Sequence, residues 1–152
     1  MLSLLAGSWE GSTLTWLEPG KLSDESPQRG VTQRIHGGWF VLHEYESNFQ
    51  GNRTTGLAVY GYHLARRCFE STWTDTFHMG TGMMVSHGGE IPRGFSVLGQ
   101  YDSPIGGEPW GWRTQVELID PNNLIITAWN IAPGQQEVKA VETTYTRVNA
   151  IE

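Results

Sequence analysis

The sequence predicts an all-β fold: one antiparallel up-and-down barrel of about ten strands, with a short N-terminal helical turn. Three observations carry this. Glycine supplies 19 of the 152 residues, well above the usual share. Turn signals recur at short intervals: Glu18-Pro19-Gly20, Ser26-Pro27, Gly37-Gly38, Gln50-Gly51-Asn52, Gly88-Gly89, Pro92-Arg93-Gly94, Gly106-Gly107, Asp120-Pro121-Asn122-Asn123 and Pro133-Gly134. Each offers the fixed or positive φ that a tight reversal needs. The runs between them are rich in Thr, Val, Ile, Tyr and seven Trp, side chains that suit a pleated, half-buried surface.

Taken in order, Met1–Ala6 forms one helical turn that plugs an end. The strands are expected over Gly7–Leu17, Arg29–His36, Trp39–Asn48, Thr54–His63, Arg67–Asp75, Thr81–His87, Gly94–Tyr101, Trp110–Ile119, Leu124–Ala132 and Glu137–Arg147. Short connections favour a meander. A sheet of so many strands has edges to protect, and closure removes them. A barrel this wide is not filled by its own side chains, so an internal ligand cavity follows. Residues 1–152 read as a single domain, without linker, repeat or low-complexity segment.

Composition narrows the function. Ten Lys+Arg against 16 Asp+Glu give a formal charge of −6, which argues against a nucleic-acid partner. No apolar run is long enough for a membrane span. Met1–Gly7 lacks the basic start and length of a signal segment, so a cytoplasmic setting is expected. Cys68 is the one cysteine and reads as a small strand residue. The five histidines, His36, His43, His63, His78 and His87, sit in separate segments without metal-ligand spacing, so no metal site is expected. No nucleophile triad or phosphate-cradling loop appears.

Alternation assigns some faces. In Arg67–Asp75 the aromatic face carries Phe69, Ser71, Trp73 and Asp75 and points inward, taking Asp75 with it. On Trp39–Glu46 both faces are half apolar, so either Glu44 or His43 is drawn inside.

Further motifs carry a resemblance. Gly7-Ser8-Trp9 opens the first strand and Tyr145-Thr146-Arg147 closes the last. Between them stand Gly37-Gly38-Trp39-Phe40-Val41 with Glu44-Tyr45-Glu46, then Gly61-Tyr62, Ser71-Thr72-Trp73-Thr74-Asp75-Thr76 and Gly99-Gln100-Tyr101-Asp102-Ser103-Pro104. In this order they resemble the bacterial domain-of-unknown-function 1579 family, a calycin-like group related to lipocalins and nitrobindins, from Leu5 to Arg147. The resemblance implies that first and last strands pair, with Arg147 lying across the Trp9 indole. His63 stands where the family often has Asp, and Leu124–Ala132 lacks the family's Glu, which implies a ligand different from that of its relatives. Nitrobindins hold haem through a His near the last strand; Val141, Glu142 and Thr143 stand there, so no cofactor, haem included, is expected.

The candidate cavity residues are Phe40, Leu42, Glu44, Tyr62, Phe69, Trp73, Asp75, His78 and Glu142, with Trp9 and Arg147 as the closing joint. The expected partner is a small hydrophobic or aromatic ligand, bound without chemistry. Two alternatives differ in class. Glu44 or Asp75 could act as general base of an isomerase or cyclase. Trp39, Val41 and Tyr45 could form an outer apolar stripe for a homodimer.

Overall fold

The structure, a computed structural model, describes residues 1–103 and 105–148. A 3-10 turn over Leu2–Leu5 precedes ten strands: β1 (Gly7–Thr15), β2 (Asp24–Ile35), β3 (Phe40–Phe49), β4 (Asn52–His63), β5 (Cys68–Asp75), β6 (Met84–Ile91), β7 (Gly94–Tyr101), β8 (Trp110–Asp120), β9 (Asn123–Ile131) and β10 (Val138–Val148). Each strand pairs antiparallel with its neighbours in sequence, and β1 pairs with β10 to close the barrel. Among the described residues no helix is long and apolar enough to cross a membrane.

Two turn signals are strand residues instead. Ser26-Pro27 lies inside β2, opposite Thr13 and Ser12 of β1. Pairing of β2 with β3 begins only at Arg29, so the proline falls where β2 has one neighbour and a missing N–H breaks no second ladder. Gly88-Gly89 lies inside β6, and the reversal comes at Pro92-Arg93, with Arg93 at φ 68°. A Cβ on Gly88 would stand 1.9 Å from the Ser96 carbonyl oxygen. Glycine there allows close strand approach, not a turn.

The two ends of the barrel differ. At the end where β1 begins, Leu5, Trp9, Val41, Tyr60, Phe69, Phe95, Val97, Val116, Leu124 and Tyr145 form one buried cluster. Phe69 and Phe95 stack at 4.5 Å. Trp9 Nε1 donates to the Leu5 carbonyl at 3.0 Å and ties the N-terminal turn over this core. The Arg147 guanidinium lies 4.1 Å from the centre of a Trp9 ring. Its N–H groups reach the carbonyls of Pro121, Ala6 and Leu4. Cation, ring and backbone thus seal the seam between first and last strands.

On β3 the structure settles the alternative in favour of His43, which is the opposite of the phase that would put Phe40, Leu42 and Glu44 in the cavity. Val41, His43, Tyr45 and Ser47 face inward, while Phe40, Leu42 and Glu44 face outward. Glycines decide this. Tyr45 sits between Gly30 of β2 and Gly56 of β4, and a Cβ on Gly56 would fall 2.1 Å from the Tyr45 ring. The inner surface holds a slot for that side chain, and Glu44 keeps its charge in water. An outer stripe of Trp39, Val41 and Tyr45 therefore does not exist: only Trp39 is outside, and Val41 is fully buried.

Candidate functional site

At the end where β1, β3, β5, β7 and β9 finish, a second, smaller buried cluster of Met84, Trp112, Ala128 and Ala140 fills one side, and the inward side chains of the other strands are mostly small or polar. Thr13, Thr15, Ser47, Ser71, Ala128, Ala140 and Thr143 occupy positions that large residues hold at the other end, and Ala58 stands where the sealed-end core meets the cavity. They leave a cavity of about 210 Å³ inside the barrel. Volume left unfilled at one end and tight packing at the other is the physical origin of the site.

The floor is polar and uncharged. His43 on β3 is buried, and burial lowers its pKa to about 4, so the imidazole is neutral at pH 7. Its Nε2 lies 3.4 Å from the Tyr145 hydroxyl, which accepts a 2.6 Å hydrogen bond from Gln28 Nε2. Gly30 makes this junction possible, because a Cβ there would stand 2.8 Å from both His43 Nε2 and the Tyr145 oxygen. Thr143 donates to Thr13 across the β10–β1 seam at 3.0 Å.

One wall is aromatic. Trp73 of β5 and Trp112 of β8 stack at 5.5 Å with planes 17° apart. Trp73 Nε1 donates to the Tyr45 hydroxyl at 2.8 Å, and burial followed by the nearby Asp75 charge raises the Tyr45 pKa. His78 packs on Trp73, Trp112 and the edge of Tyr101. Tyr101 in turn donates to Asn130 at 2.6 Å. His78 Nδ1 is buried with no hydrogen-bond partner among the described residues, and burial lowers the pKa of the ring, opposed by Asp75.

Asp75 joins the wall to the mouth. Its Oδ1 accepts the backbone N–H groups of His78 at 2.8 Å and Met79 at 2.6 Å. This pins the segment after β5 and aims the His78 ring at the indoles. Burial still pushes the Asp75 carboxyl above the usual range, against those N–H groups, which favour the charged form. Asp75 forms no ion pair among the described residues.

Of the sequence candidates, the structure brings Trp73, Asp75 and His78 together at the cavity. Phe40, Leu42 and Glu44 lie on the outer face of β3. Phe69 is in the closed-end core, and Tyr62 packs on its edge at 5.0 Å, 42% exposed. Glu142 points outward and pairs with Lys139. Arg113 lies outside over Trp129 and pairs with Glu137, away from the cavity. Sequence reasoning left His43 open against Glu44, placed Tyr45 on the outer face with Trp39 and Val41, and missed Gln28. The signal for the first two was present: Gly30 and Gly56 each sit mid-strand, where a glycine marks close approach of another group.

Comparison with known proteins agrees with this architecture. The family model described as "Protein of unknown function (DUF1579)" matches residues 1–147. No curated protein matches. Rv2717c from M. tuberculosis superposes with a TM-score of 0.63 at 15% identity, over 97% of this chain and 95% of that one. The S-type phycobiliprotein lyase CPES from Guillardia theta superposes with a TM-score of 0.67 at 10% identity, over 98% of this chain and 91% of that one. Identities this low show a shared fold alone. The chain belongs to the DUF1579 family, built on a calycin-like barrel.

Proposed function

We propose that this DUF1579 protein binds a small, partly apolar molecule inside the open half of its barrel and does not transform it. The observation that carries the reading is the division of the interior, with one end packed and sealed and the other left as a 210 Å³ cavity with a polar floor and an indole wall. The volume lies below the roughly 300–1,000 Å³ typical of drug-sized sites, so the ligand is compact. The Trp73–Trp112 pair offers flat apolar contact, and His43, Gln28 and Asn130 offer hydrogen bonds that fix orientation. Likeness to a phycobiliprotein lyase supports the use of this fold for holding small molecules, without fixing which one.

Native mass spectrometry of freshly purified protein, with displacement of a hydrophobic dye, tests this. One small molecule per chain, or a dye displaced with unit stoichiometry, is expected. Failure of every dye and small aromatic probe to enter would overturn it.

A second reading rests on one observation. Asp75 stands in the cavity wall with a raised pKa, as a general base needs. Isomerase chemistry would route a proton through its carboxylate, with the Trp73–Tyr45 hydrogen bond ordering the neighbouring wall. The earlier alternative base, Glu44, is outside the barrel and drops out. The two backbone N–H groups on Asp75 account for its position structurally, which favours the binding reading.

A further inference from the structure

We propose that the ligand is a small aromatic or apolar cation, a protonated amine, with its ammonium group against Asp75 and its apolar body along Trp73 and Trp112. This rests on the cavity-binding reading and adds the sign of the ligand's charge.

Charge inside the barrel is one-sided. Among the described residues no Lys and no Arg lines the cavity, and Asp75 is its one carboxylate. His43 and His78 are held toward the neutral form by burial. A ligand carboxylate or phosphate would lose its hydration and meet no cation, a cost no other contact on this wall offsets. An ammonium meets the opposite situation. Asp75 accepts two backbone N–H groups through one oxygen, and a carboxylate has about four acceptor positions. It is half-buried and, among the described residues, has no ion-pair partner. Beside it stand indole faces, which attract cations as well as apolar groups.

The ends of the barrel repeat this polarity. Connections at the open end carry Glu18, Asp102, Glu108 and Glu137 against Lys21. Glu18 pairs with Lys21 and Glu137 with Arg113, which leaves Asp102 and Glu108 near the mouth. Connections at the sealed end carry Arg66, Arg67 and Arg93, with Arg66 beside Glu70 and Asp120 capping the β8–β9 turn as the one acid there. The resulting field draws cations toward the open end and turns anions from it.

Three probes of one ring and nearly one size separate the possibilities: 2-phenylethylamine, 2-phenylethanol and phenylacetate, titrated by calorimetry at pH 7.5 into the wild-type chain and Asp75→Asn. The amine is expected to bind about tenfold more tightly than phenylacetate, with the alcohol between. Rising salt should narrow the gap. Asp75→Asn keeps an oxygen for the His78 and Met79 N–H groups, so the wall stays in place, which circular dichroism checks. In that variant the amine's advantage over the alcohol is expected to shrink below about twofold. Equal or tighter binding of phenylacetate, or an amine advantage that survives Asp75→Asn, would overturn the charge assignment and leave the binding reading standing. Binding of none of the three, with no hydrophobic dye entering either, would overturn both.

Discussion

Replacing Trp9 with Ala tests whether the seam between first and last strands is a stability device separate from the cavity. Trp9 is 1% exposed. A buried Trp removes roughly 200 Å² from water, worth about 5 kcal/mol at 25 cal/mol per Å². Alanine retains part of that area, and an extended reference chain overstates it. The hydrogen bond to Leu5 and the contact with Arg147 add about 1 kcal/mol each. The net expectation is a loss of about 3–5 kcal/mol, the range for large aromatics removed from cores. For a chain of this length that lowers the melting midpoint by roughly 12 °C. Arg147→Lys keeps the charge but forfeits the fork of N–H groups to Pro121, Ala6 and Leu4, and should cost about 1–2 kcal/mol. Trp9 does not line the cavity, so affinity for a cavity probe in the folded variant should change less than about twofold. Thermal and urea melts with parallel probe titrations measure both quantities. An unchanged midpoint, or affinity that falls in step with stability while the variant is fully folded, would refute the separation of seam from site.

Other perturbations act on the cavity itself. The His43 pKa of about 4 lies below its unfolded value of 6.5, so the unfolded chain binds the extra proton between those values. Stability should therefore fall as pH drops from 6.5 toward 4, by about 3 kcal/mol from this group; urea melts of wild type and His43→Gln should converge in slope only if His43 is innocent. Asp75 has the opposite sign: its raised folded pKa means the charged form is disfavoured by folding. Asp75→Asn should raise the melting midpoint at pH 7 and lose that gain in acid, and a lowered midpoint at pH 7 would show that the charge is needed for the loop. Gly56→Ala drives a methyl into the Tyr45 ring; a loss of about 1–3 kcal/mol, with altered indole fluorescence from the broken Trp73–Tyr45 bond, should follow, and an unperturbed variant would contradict the slot.

The architecture was legible because turn chemistry and β-branched runs are local signals. β7 begins and ends where the sequence places it, most other strands shift by one or two residues at their ends, β2 begins five residues early, and β6 runs three to four residues late. Pro27 and Gly88-Gly89 misled because the same residues that make turns also serve strand positions with one neighbour or close backbone approach. The site was legible on β5, where aromatic and polar residues separate by face and place Trp73 and Asp75 inside. It was not legible on β3, where Phe40 and Leu42 alternate with Val41 and Tyr45. Hydrophobicity leaves that phase undecided, and only pairing with Gly30 and Gly56 across two neighbouring strands resolves it. Such contacts lie far apart in sequence, and a one-residue change of phase exchanges His43 for Glu44 in the interior.

Ala58 provides the most direct test that the open half of the barrel is the binding site. It faces inward between His43 and Trp73, where the cavity meets the sealed-end core, so Ala58→Phe places a ring in the cavity away from the mouth. Titration of 2-phenylethylamine into both chains by calorimetry, with thermal melts alongside, should show one site on the wild type and no saturable binding to Ala58→Phe at a melting midpoint within a few degrees of wild type. Equal affinity for the folded variant and the wild type would contradict binding inside the barrel.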